Sequence, residues 1–242
     1  MKVGIKKMYS HKHKVGFAEC GADGTLRLAE ALSLIVNCCQ YQENADRKLN
    51  AYLKRNNLAI FLCSIQIDIE RMPSVQEEIE VCVRICDLKS ILGFRRITIT
   101  DGNGRLCANA SAVGAFYDMK ENRSAKINPD EFRYFLEQAE EMETLPRKIR
   151  LPVNASPLSG YVVQKSDIDP NGHMQSARYL ALAEDRLPAG FAYNRVRVEF
   201  KQQSFCGDSL GCMLRADTDS CHVIEISGAS SKHTAVVEFS RR

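Results

Sequence analysis

Apolar positions along the chain follow two periods, and the same order of periods occurs twice. In the first half Leu28, Leu32, Ile35 and Cys39 recur at steps of four, three and four. That spacing predicts one buried face of a helix starting near Leu26. Residues 65–70 then alternate strictly between apolar and polar, the pattern of a half-buried strand, and Met72-Pro73-Ser74 closes the run. Ile79, Val81, Val83 and Ile85 alternate again. Residues 95–100 lead into Asp101-Gly102-Asn103-Gly104, a hairpin signal, and residues 106–117 return as a further strand.

The second half repeats the order. Residues 160–164 predict a short strand, 167–172 a loop, and 173–187 a helix carrying Met174, Ala177, Leu180 and Ala181, stopped by Pro188. Strands are expected over 195–204, 210–216, 222–227 and 234–240. Gly207-Asp208 sits where residues 74–78 sit in the first half. Asn128 can cap a connecting helix with Phe132, Phe135, Leu136 and Ala139 as its apolar stripe. Each half is thus a strand, a long helix and four antiparallel strands. One packing of such a set is a curved sheet wrapped around its helix. The expected class is α+β, with two tandem hot-dog domains side by side. The division is residues 1–127, a connecting segment at 128–150, and a second domain at 151–242.

Composition narrows the function classes. A net charge of +3 over 242 residues is too small to call for nucleic acid, and no nucleic-acid-binding motif is present. No apolar run reaches the roughly 18 residues of a membrane span. The basic opening segment is not followed by a signal-peptide core, so a cytoplasmic location is expected. The ten cysteines lie mostly among apolar neighbours without a C-x-x-C pair. They read as small apolar residues in a reducing compartment rather than as disulfides or a metal site, and no cofactor is expected.

The sharpest local feature is Asp167-Ile168-Asp169-Pro170-Asn171-Gly172-His173, just ahead of the second helix. Asp169, Asn171 and His173 alternate along it, and Pro170 and Gly172 restrict its path. Free N–H groups at a helix start can stabilise an oxyanion, and an imidazole can take a proton from water. The same residues could also serve as a simple helix cap.

Asp169-Pro170-Asn171-Gly172-His173 followed by Tyr179 resembles the D-x-N-x-H…Y signature of plant and bacterial acyl-ACP thioesterases. Glu70-Arg71-Met72-Pro73 resembles the E-R-x-P turn of that family, and Arg95/Arg96 with the Asp101–Gly104 hairpin resembles its R…D-x-x-G segment. The resemblance implies hydrolysis of fatty acyl-carrier-protein thioesters in fatty acid biosynthesis. Asp169 would orient the site, Asn171 would hold the carbonyl or the water, and His173 would act as base. The first domain would supply much of the acyl tunnel, including Leu32, Ile35 and Cys39. Acyl carrier protein and its acyl chain are the implied partners, with the basic stretch around His11 and His13 as one docking surface. The working unit would be a monomer or homodimer.

The chain departs from the family pattern at several places. Gln203 stands where the family usually has a Glu, and a carboxamide can hold a water but cannot accept its proton. Glu199 is too far along the strand to replace it. Ser204 occupies a position at which a nucleophilic Cys has been invoked, which makes Cys206 a turn residue. Gln175 and Ser176 replace a paired Asn, and Ile60, Ile65 and Gly114 replace Trp. Two other readings therefore stay open: a thioesterase acting on coenzyme A esters, and a weakly active or non-catalytic acyl-binding protein.

Overall fold

The computed structural model describes residues 8–136, 143–228 and 233–242. The first half contains β1 (Tyr9–Lys14), α1 (Leu28–Ala45), α2 (Arg47–Arg55), β2 (Leu58–Ile69), β3 (Glu78–Lys89), β4 (Leu92–Asp101), β5 (Leu106–Asp118) and the short β6 (Arg123–Ser124). The second contains β7 (Ala155–Val162), α3 (Ser176–Glu184), β8 (Arg195–Phe200), β9 (Ser209–Thr218), β10 (Cys221–Ser227) and β11 (His233–Ser240). The strands make a single antiparallel sheet in the order β1-β3-β4-β5-β2-β8-β11-β10-β9-β7, with β6 beside β5. Two tandem hot-dog units, each a sheet around its helix, thus share one sheet.

Both helices lie on the same side of that sheet. The predicted face of α1 is buried there: Leu32 is fully inaccessible, and Leu28, Ile35 and Cys39 are buried with it. Burying one such side chain contributes roughly 1.5–3 kcal/mol. Leu180 and Ala183 of α3 join the same core cluster as Ile65 and Ile67 of β2 and Val196 and Val198 of β8. Cys38, Cys39, Cys82, Cys107 and Cys212 are buried, filling core space as small apolar side chains.

The halves meet through β2 and β8, which pair antiparallel from Ser64↔Glu199 to Asp68↔Arg195. Asp68 accepts from Arg195 Nε at 2.5 Å, and both side chains are buried. Removing one partner of such a pair typically costs about 3–5 kcal/mol, because the other charge is left uncompensated.

The sequence pattern of residues 65–70 predicts a strand with one wet face. Instead, positions 64–68 are buried on both faces. The cause is distant in sequence. The segment from Glu143 to Pro152 crosses the outer face of the sheet as a strap. Gln66 donates to the Glu143 carbonyl (2.9 Å) and accepts from the Leu145 N–H (3.1 Å). Arg197 donates to the Pro146 carbonyl, Glu199 accepts from the Ile149 N–H at 3.2 Å, and Arg215 donates to the Pro152 carbonyl at 3.0 Å.

Three other elements differ from expectation. The segment after Asn128 forms a 3-10 turn over Pro129–Phe135 rather than a long helix. Asn128 does cap it, accepting from the Asp130 N–H at 3.1 Å, and this short element suffices to bury Phe132 against Leu49, Leu53 and Phe116. The expected Ala139 lies outside the described residues. α2 had no sequence expectation, because its two buried residues, Leu49 and Leu53, make too narrow a stripe. The opening strand of the second half lies earlier than expected, at Ala155–Val162. Among the described residues no helix is long and apolar enough to cross a membrane.

Candidate active site

The loop ahead of α3 is built by its own side chains. Asp167 is fully buried and gathers three donors: the Tyr161 hydroxyl (2.6 Å), the Gln164 N–H (2.8 Å) and Arg178 Nε (2.9 Å). Burial alone would raise its carboxyl. The three bonds and the Arg178 charge outweigh that and hold it below the usual carboxylate range.

Asp169 makes the next turn. Its Oδ1 accepts from the Asn171 N–H at 2.8 Å and the His173 N–H at 3.2 Å, and its Oδ2 lies 3.4 Å from Asn171 Nδ2. The Asp169 N–H donates to the His173 carbonyl (2.8 Å) and the Gly172 N–H to the Asp169 carbonyl (2.9 Å). Gly172 has φ +84°, a left-handed conformation that favours glycine. The carboxylate thus fixes the path of the backbone that carries Asn171 and His173.

His173 is half-buried and sits between two rings. The Phe61 ring of β2 lies 5.8 Å away and the Phe205 ring 5.3 Å away, both edge-on. One ring comes from each half, so the imidazole stands at their junction. α3 begins at Ser176, three residues after His173, rather than at His173 itself. The bridge between Ile168 and Met174 uses up the intervening residues. Gln175, at the helix cap, makes no side-chain capping bond, so the first turn of α3 keeps N–H groups free of a cap.

Gln203 lies on the segment that crosses this loop. The Met174 N–H donates to the Ser204 carbonyl at 2.8 Å. β8 ends at Phe200, so Gln203 lies beyond the strand, exposed, and its carboxamide forms no hydrogen bond among the described residues. Glu199 does not share its surroundings: it is buried on the outer face beneath the strap. Cys206 is exposed in the turn after Phe205. Tyr179 is buried in α3, where burial raises its phenol and the nearby Ser204 hydroxyl and backbone oppose that rise. His11 and His13 serve locally, the first meeting the Tyr41 ring edge-on and the second pairing with Glu19 at 2.8 Å. His233 pairs with Glu225 at 3.0 Å, and His222 packs on Phe191.

The family model described as acyl-ACP thioesterase N-terminal domain matches residues 6–135, more than half of the chain. The chain belongs to the acyl-ACP thioesterase family. It is therefore a thioester hydrolase. Among solved structures, an acyl-ACP thioesterase from Bacteroides thetaiotaomicron is similar with a TM-score of 0.86 at 20% identity, over 96% of each chain. The 12:0-ACP thioesterase from Umbellularia californica is similar with a TM-score of 0.77 at 13% identity, over 97% of each chain. At these identities the likeness concerns the fold. No curated protein sequence matches the chain.

Asp169, Asn171 and His173 stand together on one turn, and Gln203 stands on the neighbouring segment. Sequence reading gave no role to Asp167, Phe61 or Phe205. The Asp167 signal was available, because Glu19 anchors the equivalent loop of the first half at the same spacing. The two phenylalanines carried no local signal, since only the tertiary fold brings them to His173.

Proposed function

We infer that the protein hydrolyses fatty acyl thioesters of acyl carrier protein, in fatty acid biosynthesis, at the loop of Asp169, Asn171 and His173. The observation that carries this reading is the half-buried imidazole held at the junction of the halves by the Asp169 turn. Asp169 holds the loop, and Asn171 holds the thioester carbonyl or the attacking water. His173 takes a proton from water as the water oxygen bonds to the carbonyl carbon. The negative tetrahedral oxygen faces the uncapped first turn of α3. When the carbon–sulfur bond breaks, the imidazolium returns the proton to the leaving thiolate, and fatty acid and carrier thiol separate. Gln203 positions the water through its carboxamide without acting as base.

Residues 151–242 would carry the chemistry and residues 1–127 most of the acyl chain, against Leu32, Ile35 and Cys39 of α1. Pairing of the two units within one chain supports a monomeric working unit, and the composition supports a cytoplasmic one. The test is release of thiol from one acyl chain carried on acyl carrier protein and on coenzyme A. Faster turnover on the carrier protein is expected. Faster turnover on coenzyme A would reassign the substrate, and acyl binding without turnover on either would end the catalytic reading.

A further inference from the structure

A polar cavity lies on the outer face of the sheet, away from the loop that carries His173. It has a volume of about 330 Å3 and is roofed by the strap at Thr144–Arg147. Five cations line it, Lys89, Arg95, Arg96, Arg147 and Arg197, against one acid, Asp87. Three of the five are already engaged. Arg95 pairs with Glu43 at 2.7 Å, Arg197 with Glu238 at 2.9 Å, and Lys89 lies 3.9 Å from Asp87 with its ammonium over the Phe94 ring. Arg96 and Arg147 are different. Arg96 donates to the Ser111 hydroxyl, and among the described residues neither guanidinium meets a carboxylate. Two uncompensated guanidiniums beside a hydroxyl make a site for an oxyanion with several acceptors, which is the chemistry of phosphate.

The cavity and the candidate active site share β2. Ser64 and Gln66 of β2 line it, and Ser111 pairs with Gln66 across β2 and β5. Arg147 lies close enough to Cys63 to oppose the rise that burial imposes on its thiol. Two residues earlier is Phe61, whose ring touches His173. The five steps from Phe61 to Gln66 span on the order of 17 Å of strand. An extended pantetheine arm is of similar length between its thiol and its phosphate.

We propose that the Arg96–Arg147 cavity receives the phosphate of the pantetheine arm whose thioester is presented to His173. The inference rests on the thioesterase reading for the identity of the arm. The phosphate group is shared by two carriers, the phosphodiester of acyl carrier protein and the diphosphate of coenzyme A. The predicted contact costs the fold little: Arg147 is exposed, and Arg96 gives up only one hydroxyl bond.

The experiment is equilibrium binding by calorimetry, which needs no turnover. Pantetheine, 4′-phosphopantetheine, coenzyme A and holo acyl carrier protein are titrated into the wild-type protein and into the Arg96→Gln/Arg147→Gln double variant. An unchanged unfolding midpoint for Arg147→Gln, and for the double variant, controls for folding. Phosphopantetheine should bind wild type at least about tenfold more tightly than pantetheine, and the double variant should bind the two alike. A matching loss with the holo carrier assigns the site to the carrier protein, and a matching loss with coenzyme A alone assigns it to the nucleotide. Equal binding of pantetheine and phosphopantetheine by wild type overturns the proposal, as does a phosphate preference that survives in the double variant. A protein that binds phosphate in this way but releases no thiol would instead sink the hydrolytic reading.

Discussion

The two loops that precede α1 and α3 have the same backbone and different side chains. Glu19 accepts from the Gly16 N–H as Asp167 accepts from the Gln164 N–H. Gly21 N–H donates to the Thr25 carbonyl at 2.8 Å, as Asp169 N–H donates to the His173 carbonyl at 2.8 Å. Gly24 and Gly172 both take left-handed φ, +76° and +84°. Leu26 N–H donates to the Pro73 carbonyl, as Met174 N–H does to that of Ser204. Yet Gly21, Asp23 and Thr25 stand where Asp169, Asn171 and His173 stand. In the first half Asp23 simply ties down Thr25, through its N–H at 3.0 Å and its hydroxyl at 2.8 Å. The turn therefore folds without a histidine. The polar set of the second half is not a requirement of the fold, which is the physical reason to assign it chemistry.

Paired substitutions sharpen that contrast. His173→Ala should lower thiol release by about 10²-fold or more, as removal of a general base does. Thr25→Ala, at the equivalent place, should leave the rate unchanged. Similar rates for the two variants would remove the imidazole from the mechanism. Gln203 and Met72 form the next pair, each one residue before the carbonyl that crosses its loop. Gln203→Glu should raise turnover severalfold, because a carboxylate can accept the proton that the carboxamide cannot. Met72→Glu should give no gain. An unchanged rate in a normally folded Gln203→Glu protein would show that the site works through the carboxamide.

The smallest effect concerns the anchors. The Asp167 and Glu19 carboxyls are both held below their ordinary range, by hydrogen bonds and nearby charge that outweigh burial. A depressed folded-state value means stability that is present above the ordinary carboxylate range and lost as pH falls through the folded value. Stability measured by denaturant below about pH 4 should therefore fall less steeply in Asp167→Asn and Glu19→Gln than in wild type. An unchanged slope in both would mean that neither carboxylate differs between the folded and unfolded chain.

Much of this architecture was legible from periodicity. The apolar face of α1, the alternation in β3 and the Asp101–Gly104 hairpin follow from local chemistry. In that hairpin Asp101 accepts from the Asn103 and Arg105 N–H groups at 2.9 Å each. Local reading failed where distant residues decide. Gln66 and Asp68 read as solvent-facing because the strap and Arg195 that cover them are far away in sequence. The helix was expected to begin at His173, because the polar run looks like a cap; the Ile168–Met174 bridge delays it to Ser176. In the candidate site the motif residues were found, while Phe61 and Phe205 emerged only from tertiary structure.

A cavity of about 380 Å3 stands beside the first loop, bounded by Asp23, Arg27 and Met72 and by Glu184 and Tyr193 from the second half. Tyr193 donates to Glu184 there, and burial raises both groups. The decisive measurement is a crystal structure with a non-hydrolysable ketone analogue of an acyl-pantetheine, in which a methylene replaces the thioester sulfur. Catalysis by His173 requires its carbonyl within hydrogen-bond reach of Asn171 or His173, between the Phe61 and Phe205 rings. A carbonyl seated instead against Asp23 and Glu184 would contradict it.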